Sequence, residues 1–172
     1  MKKYLLLIFI LSSCNKSDDI IPPDITQENT FSCTIEGEVF VPETHGFYGF
    51  YGISTIRSED KWSIMLSNGK TTLLINLTDL DNNDNSKTIQ ESDGDFYSYN
   101  DTTNTIELKI KGNPNRYYYS YGNTGFVSIE KFENEHLILK FDEIELISIH
   151  DTSNKIKLTN GKLNINLNTL NQ

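Results

Sequence analysis

Residues 105–111 read Thr105-Ile106-Glu107-Leu108-Lys109-Ile110-Lys111. Ile106, Leu108 and Ile110 alternate with Glu107, Lys109 and Lys111. A helix presents one face about every 3.6 residues and a strand every second residue. The strict period of two predicts a half-buried strand, apolar on one face and charged on the other. The same grammar extends in both directions. Upstream, Phe96 to Asn100 is expected to pair with Thr105 to Lys111 through Asp101-Thr102-Thr103-Asn104. Thr71 to Leu80 carries Leu73, Ile75 and Leu77 on one face. Trp62 to Leu66 precedes it, and Asn68-Gly69 between the two runs is a strong hairpin signal. Phe31 to Glu36 turns at Glu36-Gly37-Glu38 and returns as Val39-Phe40-Val41, where Pro42 stops the run. Downstream come Tyr117 to Tyr121, Gly125 to Phe132, and Leu137 to Phe141. Glu143 to His150 comes next, with a phase slip near Ile147 that reads as a bulge. Lys155 to Thr159 and Lys162 to Leu167 flank Asn160-Gly161, a second Asn-Gly hairpin signal.

This amounts to about ten to twelve strands at the spacing expected of sandwiches and barrels. No segment keeps a helical period beyond two turns, so a parallel sheet with crossover helices is excluded. Composition agrees: the 172 residues hold no alanine and 19 asparagines, the best helix former and one of the poorer ones. The expected fold is all-β, a single antiparallel β-sandwich, with a flattened β-barrel as the alternative. The net charge of −9 argues against nucleic acid, whose phosphates need a basic footprint. Two cysteines cannot build a multi-disulfide scaffold or a four-thiolate zinc site.

The first fourteen residues read MKKYLLLIFILSSC. Lys2 and Lys3 precede an apolar run from Leu5 to Leu11, too short for the ~20 residues that span a bilayer. This is a secretory signal. Leu11-Ser12-Ser13-Cys14 resembles the lipobox of bacterial lipoproteins. The resemblance implies cleavage before Cys14, a diacylglyceryl thioether on its sulfur, and acylation of the new amine with a chain such as palmitate. Several acyl chains make such an anchor stable where one is marginal. Asp18 and Asp19 come shortly after and resemble the acidic export signal of Bacteroidetes surface lipoproteins. That implies exposure on the cell surface, with the periplasmic face of the outer membrane as the alternative. Ile20-Ile21-Pro22-Pro23 stiffens the tether toward polyproline II. The expected organisation is a signal over 1–13, a lipidated Cys14 and polar linker over 14–29, and an all-β domain over 30–172.

A wider resemblance rests on three stretches behind that linker. These are Phe31-Ser32-Cys33-Thr34-Ile35-Glu36-Gly37, Gly125-Phe126-Val127-Ser128-Ile129, and Thr159-Asn160-Gly161-Lys162-Leu163. Together they resemble a group of small Bacteroidetes outer-membrane lipoproteins of unknown function, over about residues 30–168. Lys140-Phe141-Asp142-Glu143 departs from the more neutral run usual there. The resemblance implies location and fold and carries no chemistry.

Motifs for catalysis are missing. His45, His136 and His150 lie far apart, and no G-x-S-x-G elbow or Walker-type loop occurs. Cys33 lacks a disulfide partner once Cys14 is lipidated, and reads as a small buried hydrophobe. Asp79, Asp81 and Asn83 offer oxygen ligands at alternate positions, as a calcium loop does. Position six from Asp79 is Asp84 instead of glycine, so a solvated turn is the preferred reading. No cofactor is expected. The most suggestive feature is His45 to Gly52, where Phe47, Tyr48, Phe50 and Tyr51 stand among three glycines. Glycines weaken a strand, and tyrosine joins an apolar face to a hydroxyl. The later clusters, Phe96 to Tyr99 and Tyr117 to Tyr121, read as alternate rings filling a core. The functional expectation is a non-enzymatic, lipid-anchored envelope module that binds a glycan, peptide or protein partner through the 45–52 stretch. An accessory lipoprotein of an outer-membrane complex and a hydrolase with a dispersed site are the alternatives.

Overall fold

A computed structural model describes residues 27–43, 52–58, 60–81, 83, 85–96 and 103–170. Cys14, most of the linker and the aromatic positions 47, 48, 50 and 51 lie outside the described residues. Among the described residues eleven strands succeed one another in chain order: β1 Thr30–Ile35, β2 Glu38–Phe40, β3 Gly52–Ser58, β4 Lys61–Ser67, β5 Thr71–Leu77 and β6 Ser86–Ile89. β7 Thr105–Ile110, β8 Arg116–Ser120, β9 Gly125–Glu133, β10 His136–Ser148 and β11 Lys155–Asn166 complete the set. All pairings between them are antiparallel.

The strands form one sheet in the order β2-β1-β11-β10-β8-β7-β5-β4-β3. The long strand β10 is its branch point. One edge of β10 pairs with β11 from His136 to Ile147. The other edge pairs with β9 over His136–Lys140 and with β8 over Leu146–Ser148. β9 carries β6 on its far side. The sheet folds over on itself, because a single apolar cluster includes residues from β1, β2 and every strand from β4 to β11. Ile53 of β3 packs against that cluster. A flat sheet could not bring both of its ends into one core. Trp62 of β4 meets Phe132 of β9 edge to face at 5.8 Å. Arg57 of β3 pairs with Glu135 in the β9–β10 turn and lies over the Trp62 ring. Sandwich and flattened barrel are thus two descriptions of one curled antiparallel sheet. Its end strands β2 and β3 do not pair, which leaves a seam.

Several local expectations are corrected. Asn160-Gly161 does not turn the chain. β11 runs straight through it, and on the β1 side the two residues oppose Cys33 alone, as a bulge. Asn160 sits at φ 52, which asparagine tolerates. Gly161 lies beneath the Phe141 ring, which fills the space a Cβ would need. Leu137 to Phe141 and Glu143 onward join as one strand, β10. Its register with β11 is unbroken through Ile147, so the phase slip is no bulge. Leu146, Ile147 and Ser148 are consecutively buried because both faces are covered there. Thr105 to Lys111 does not pair with a strand at 96–100, since β5 and β8 take its two edges. Strands β3 and β6 are additions to the expected set. Glu28 and Asn29, assigned to the linker, bond to Asn166 and Thr169 and so belong to the body.

The hairpins obey turn chemistry. The β1–β2 loop is Glu36-Gly37, both at positive φ (50 and 84), as a type I′ turn requires. The Asn68-Gly69 hairpin forms as expected, centred on Gly69-Lys70. Asn68 Oδ1 accepts the Lys70 and Thr71 amides at 3.1 and 2.8 Å.

Candidate functional site

Two cavities lie along the seam. The first, of about 220 Å³, is lined by Phe31, Val41, Pro42, Glu43, Ile53 and Leu170 among others. Its rim is where the chain leaves the described residues at Glu43 and returns at Gly52. Glu43 donates its amide to the Ser67 carbonyl at 3.1 Å, at the last residue of β4. Gly52 sits at φ +96, and a Cβ there would stand 2.6 Å from the Glu43 carbonyl oxygen. Only glycine permits both the conformation and that approach. The described residues on either side of positions 44–51 are therefore pressed together at this cavity. Its volume falls below the ~300–1,000 Å³ usual for small-molecule pockets.

The second cavity, of about 370 Å³, opens between the β1–β2 hairpin and the far ends of β4, β5, β7 and β8. Glu36 and Glu38 stand on the hairpin side, and Lys70 and Arg116 on the opposite side. All four are exposed. Among the described residues none of the four enters an ion pair, although Arg57, Lys131, Lys140, Lys155 and Lys157 all do. Ile35, Phe40 and Ile110 are buried beneath. Sequence reading did not find this cleft. Its charges come from four turn and strand-end positions that only the curl of the sheet brings together.

The tyrosines of β8 alternate as expected. Tyr118 is buried in the core, while Tyr117 and Tyr119 are half-buried on the other face. Phe96 meets Tyr117 edge to face at 6.1 Å. The face expected to meet water is covered here by residues 90–96. The Ser92 amide bonds to the Ser120 carbonyl at 2.9 Å. The Ser92 hydroxyl bonds to Glu107 and accepts the Gly94 amide at 3.0 Å. Glu107 is consequently buried, where strict alternation predicts exposure. Beyond this cover, Glu145 accepts hydrogen bonds from Lys155 and Tyr121, which hold its carboxyl below the usual range.

The remaining candidates occupy structural positions. Asp81 Oδ1 accepts the Asn83 amide at 2.6 Å, an Asx turn, and the Asp79 carbonyl accepts from Lys87 Nζ at 2.6 Å. Among the described residues no three His, Cys, Asp or Glu side chains converge as metal ligands. Cys33 is fully buried, and burial pushes its thiol far up, away from the thiolate a nucleophile needs. His136 Nε2 is 2.7 Å from Asn164 Oδ1. No family model, curated protein or solved structure matches the chain. No helix among the described residues is long and apolar enough to cross a membrane.

Proposed function

We propose that the chain is a lipid-anchored envelope module that binds a glycan, peptide or protein partner without catalysis. Cys14 is its lipid attachment and the outer membrane, facing outward, its place. The resemblance to small Bacteroidetes lipoproteins supports that location. The observation that carries the binding role is the closure of Glu43 on Gly52 over the first cavity. It fixes the described residues on either side of Phe47, Tyr48, Phe50 and Tyr51 at one rim, and loop residues held by a rigid scaffold are where binding tends to lie. The anchor geometry is compatible. The thirteen residues from 15 to 27 span at most ~45 Å at ~3.5 Å per residue, enough to hold the domain clear of the bilayer.

Two measurements test this. Cys14→Ser should block processing and move the protein out of the membrane fraction, and protease added to intact cells should degrade the wild type. A membrane-bound, normally processed Cys14→Ser protein would remove the anchor. Tyr48→Ala with Tyr51→Ala should leave the melting temperature nearly unchanged, since exposed sites cost within ~0.5 kcal/mol. The same pair should lose the ligands that the wild type retains on a glycan array or in a native pull-down. A large fall in melting temperature would make these rings core and favour the accessory-lipoprotein reading.

A further inference from the structure

The second cavity carries a separate inference, founded on the free edge of β2. The two-residue β1–β2 loop makes Ile35 and Glu38 the closing pair, which exchanges both ladder hydrogen bonds. The next pair, Thr34 and Val39, is then non-hydrogen-bonded on this ladder. The N–H and C=O of Val39 therefore point away from β1. Among the described residues, no strand pairs with β2 on that side. Val39 is 41% exposed and lines the cleft together with Glu36, Glu38, Lys70 and Arg116.

We propose that this cleft is a strand-addition site for an extended peptide segment of a partner protein carrying both a basic and an acidic side chain. The segment would hydrogen-bond through its main chain to Val39, the mode in which a sheet edge accepts a peptide. Charge selects its side chains. A segment of one sign would meet repulsion at one wall, whereas a segment of both signs finds Glu36 and Glu38 for its cation and Lys70 and Arg116 for its anion. A glycan fits poorly. Stacking on sugars needs an open ring, and the aromatic residue lining this cleft, Phe40, is buried at 3%. The proposal rests on the binding-module reading and deepens it by naming a partner class, on residues other than Phe47, Tyr48, Phe50 and Tyr51.

The test uses the full-length chain in detergent micelles and a fluorescent, acetylated and amidated hexapeptide, Thr-Lys-Val-Glu-Val-Thr, beside its charge-swapped form Thr-Glu-Val-Lys-Val-Thr. Anisotropy should show saturable binding of at least one. Val39→Pro removes the outward N–H but no bond to β1, which edge positions tolerate. It should weaken binding by about tenfold, the loss expected for a hydrogen bond, while Val39→Thr leaves binding intact. Should Val39→Pro fail to fold, N-methylation of the probe's central valine amides asks the same question of the wild-type protein. Lys70→Glu with Arg116→Glu should reverse any preference between the two probes. Absence of saturable binding by both probes would overturn the proposal. So would unchanged affinity for Val39→Pro of normal melting temperature, or for the N-methylated probe. Anchorage is read separately, since Cys14→Ser leaves this assay untouched. A negative result here with Tyr48 and Tyr51 still needed for ligand capture would sink the cleft alone.

Discussion

Gly161→Ala is the sharpest test of how the sheet is packed. An alanine Cβ would lie 2.1, 2.2 and 2.5 Å from Cζ, Cε1 and Cε2 of Phe141. Carbon atoms in contact prefer ~3.5–4.0 Å, so the ring would have to move by more than an ångström. Phe141 is only 2% exposed and packs within the central apolar cluster, leaving it nowhere to go. Gly161 is absent from the positive-φ positions, so any residue could adopt its backbone and the cost is steric. Overpacking a core costs ~1–3 kcal/mol, and expelling the ring altogether would approach the ~3–5 kcal/mol of a Phe→Ala change. The expected destabilisation is about 2–4 kcal/mol. At ~2–4 °C per kcal/mol for a chain of this size, the melting temperature should fall by about 5–15 °C. Urea melts of wild type, Gly161→Ala, Phe141→Leu and the double variant close a cycle. Shortening residue 141 makes room for the methyl, so the coupling should be ~1–3 kcal/mol in the rescuing direction. Were Asn160-Gly161 the hairpin turn that its dipeptide suggests, the alanine penalty would be conformational and indifferent to residue 141. An equal penalty in both backgrounds, or a penalty within ~0.5 kcal/mol, would refute the ring-over-glycine packing.

The covered face and the outer ion pairs give two further expected outcomes. Ser92→Ala removes the hydroxyl that joins Glu107 to the Gly94 amide. It should cost ~1–3 kcal/mol, since a buried carboxyl oxygen loses a hydrogen-bond partner. It should also speed amide exchange at Ser92 and Gly94 ahead of global unfolding. Little change in either quantity would mean that the 90–96 segment is held by its apolar contacts. Glu145 is held below the usual carboxylate range by hydrogen bonds from Lys155 and Tyr121. Its contribution is complete above the unfolded carboxylate range and is lost as pH falls through the lower folded value. Between neutral pH and pH 3, Glu145→Gln should therefore lose less of its urea midpoint than the wild type. Parallel midpoints in the two proteins would show that the pair is solvent-screened to nothing.

The sequence carried the fold class because inward residues of most strands are apolar and alternate. Ile106, Leu108 and Ile110 did so most clearly, and all three are core. β3 escaped notice because its inward set is Ile53, Thr55 and Arg57, opposite Leu66, Ile64 and Trp62. Two of those three are polar, and the third outward position, Ile56, is 50% exposed. Apolar spacing thus read as three, which breaks the strand period of two. Glu107 and Ile147 misled for one shared reason. Periodicity assumes that one face of the sheet meets water, but residues 90–96 cross the outside of β7 and β8 and reach Ile149, just past β10. A Cβ on Gly94 would be 3.6 Å from Ile149 Cδ1 and 3.9 Å from Tyr119 Cδ1. That cover comes from a distant part of the chain, so no local window can register it.

The candidate sites divide along the same line. The aromatic stretch is visible in sequence because it is contiguous, and the structure contributes the meeting of Glu43, two residues before it, with its last residue, Gly52. The charged cleft is invisible in sequence because Glu36, Glu38, Lys70 and Arg116 belong to separate turns and strand ends. Strand direction then relates both sites to the point where the chain enters the domain. Glu28 and Asn29 bond to Asn166 and Thr169, so the chain enters the domain where β11 ends. β1 runs away from that point, and its far end carries the Glu36-Gly37 turn. The opposite wall of the cleft lies at the matching ends of β5, β7 and β8, where Thr71 pairs with Ile110 and Ile110 with Arg116. A lipid on Cys14 would tether the domain at its β1 entry and leave the cleft at the far end of β1. The first cavity, lined by Asn29, Thr30 and Leu170, sits at the end where β1 begins. Attaching the anchor instead after Leu170 would keep that geometry, because both termini of the described body share one end. Moving it into the Glu36-Gly37 turn would invert the domain. Peptide capture at the cleft should survive the first transfer on intact vesicles and fail in the second, and equal capture by both would contradict this orientation.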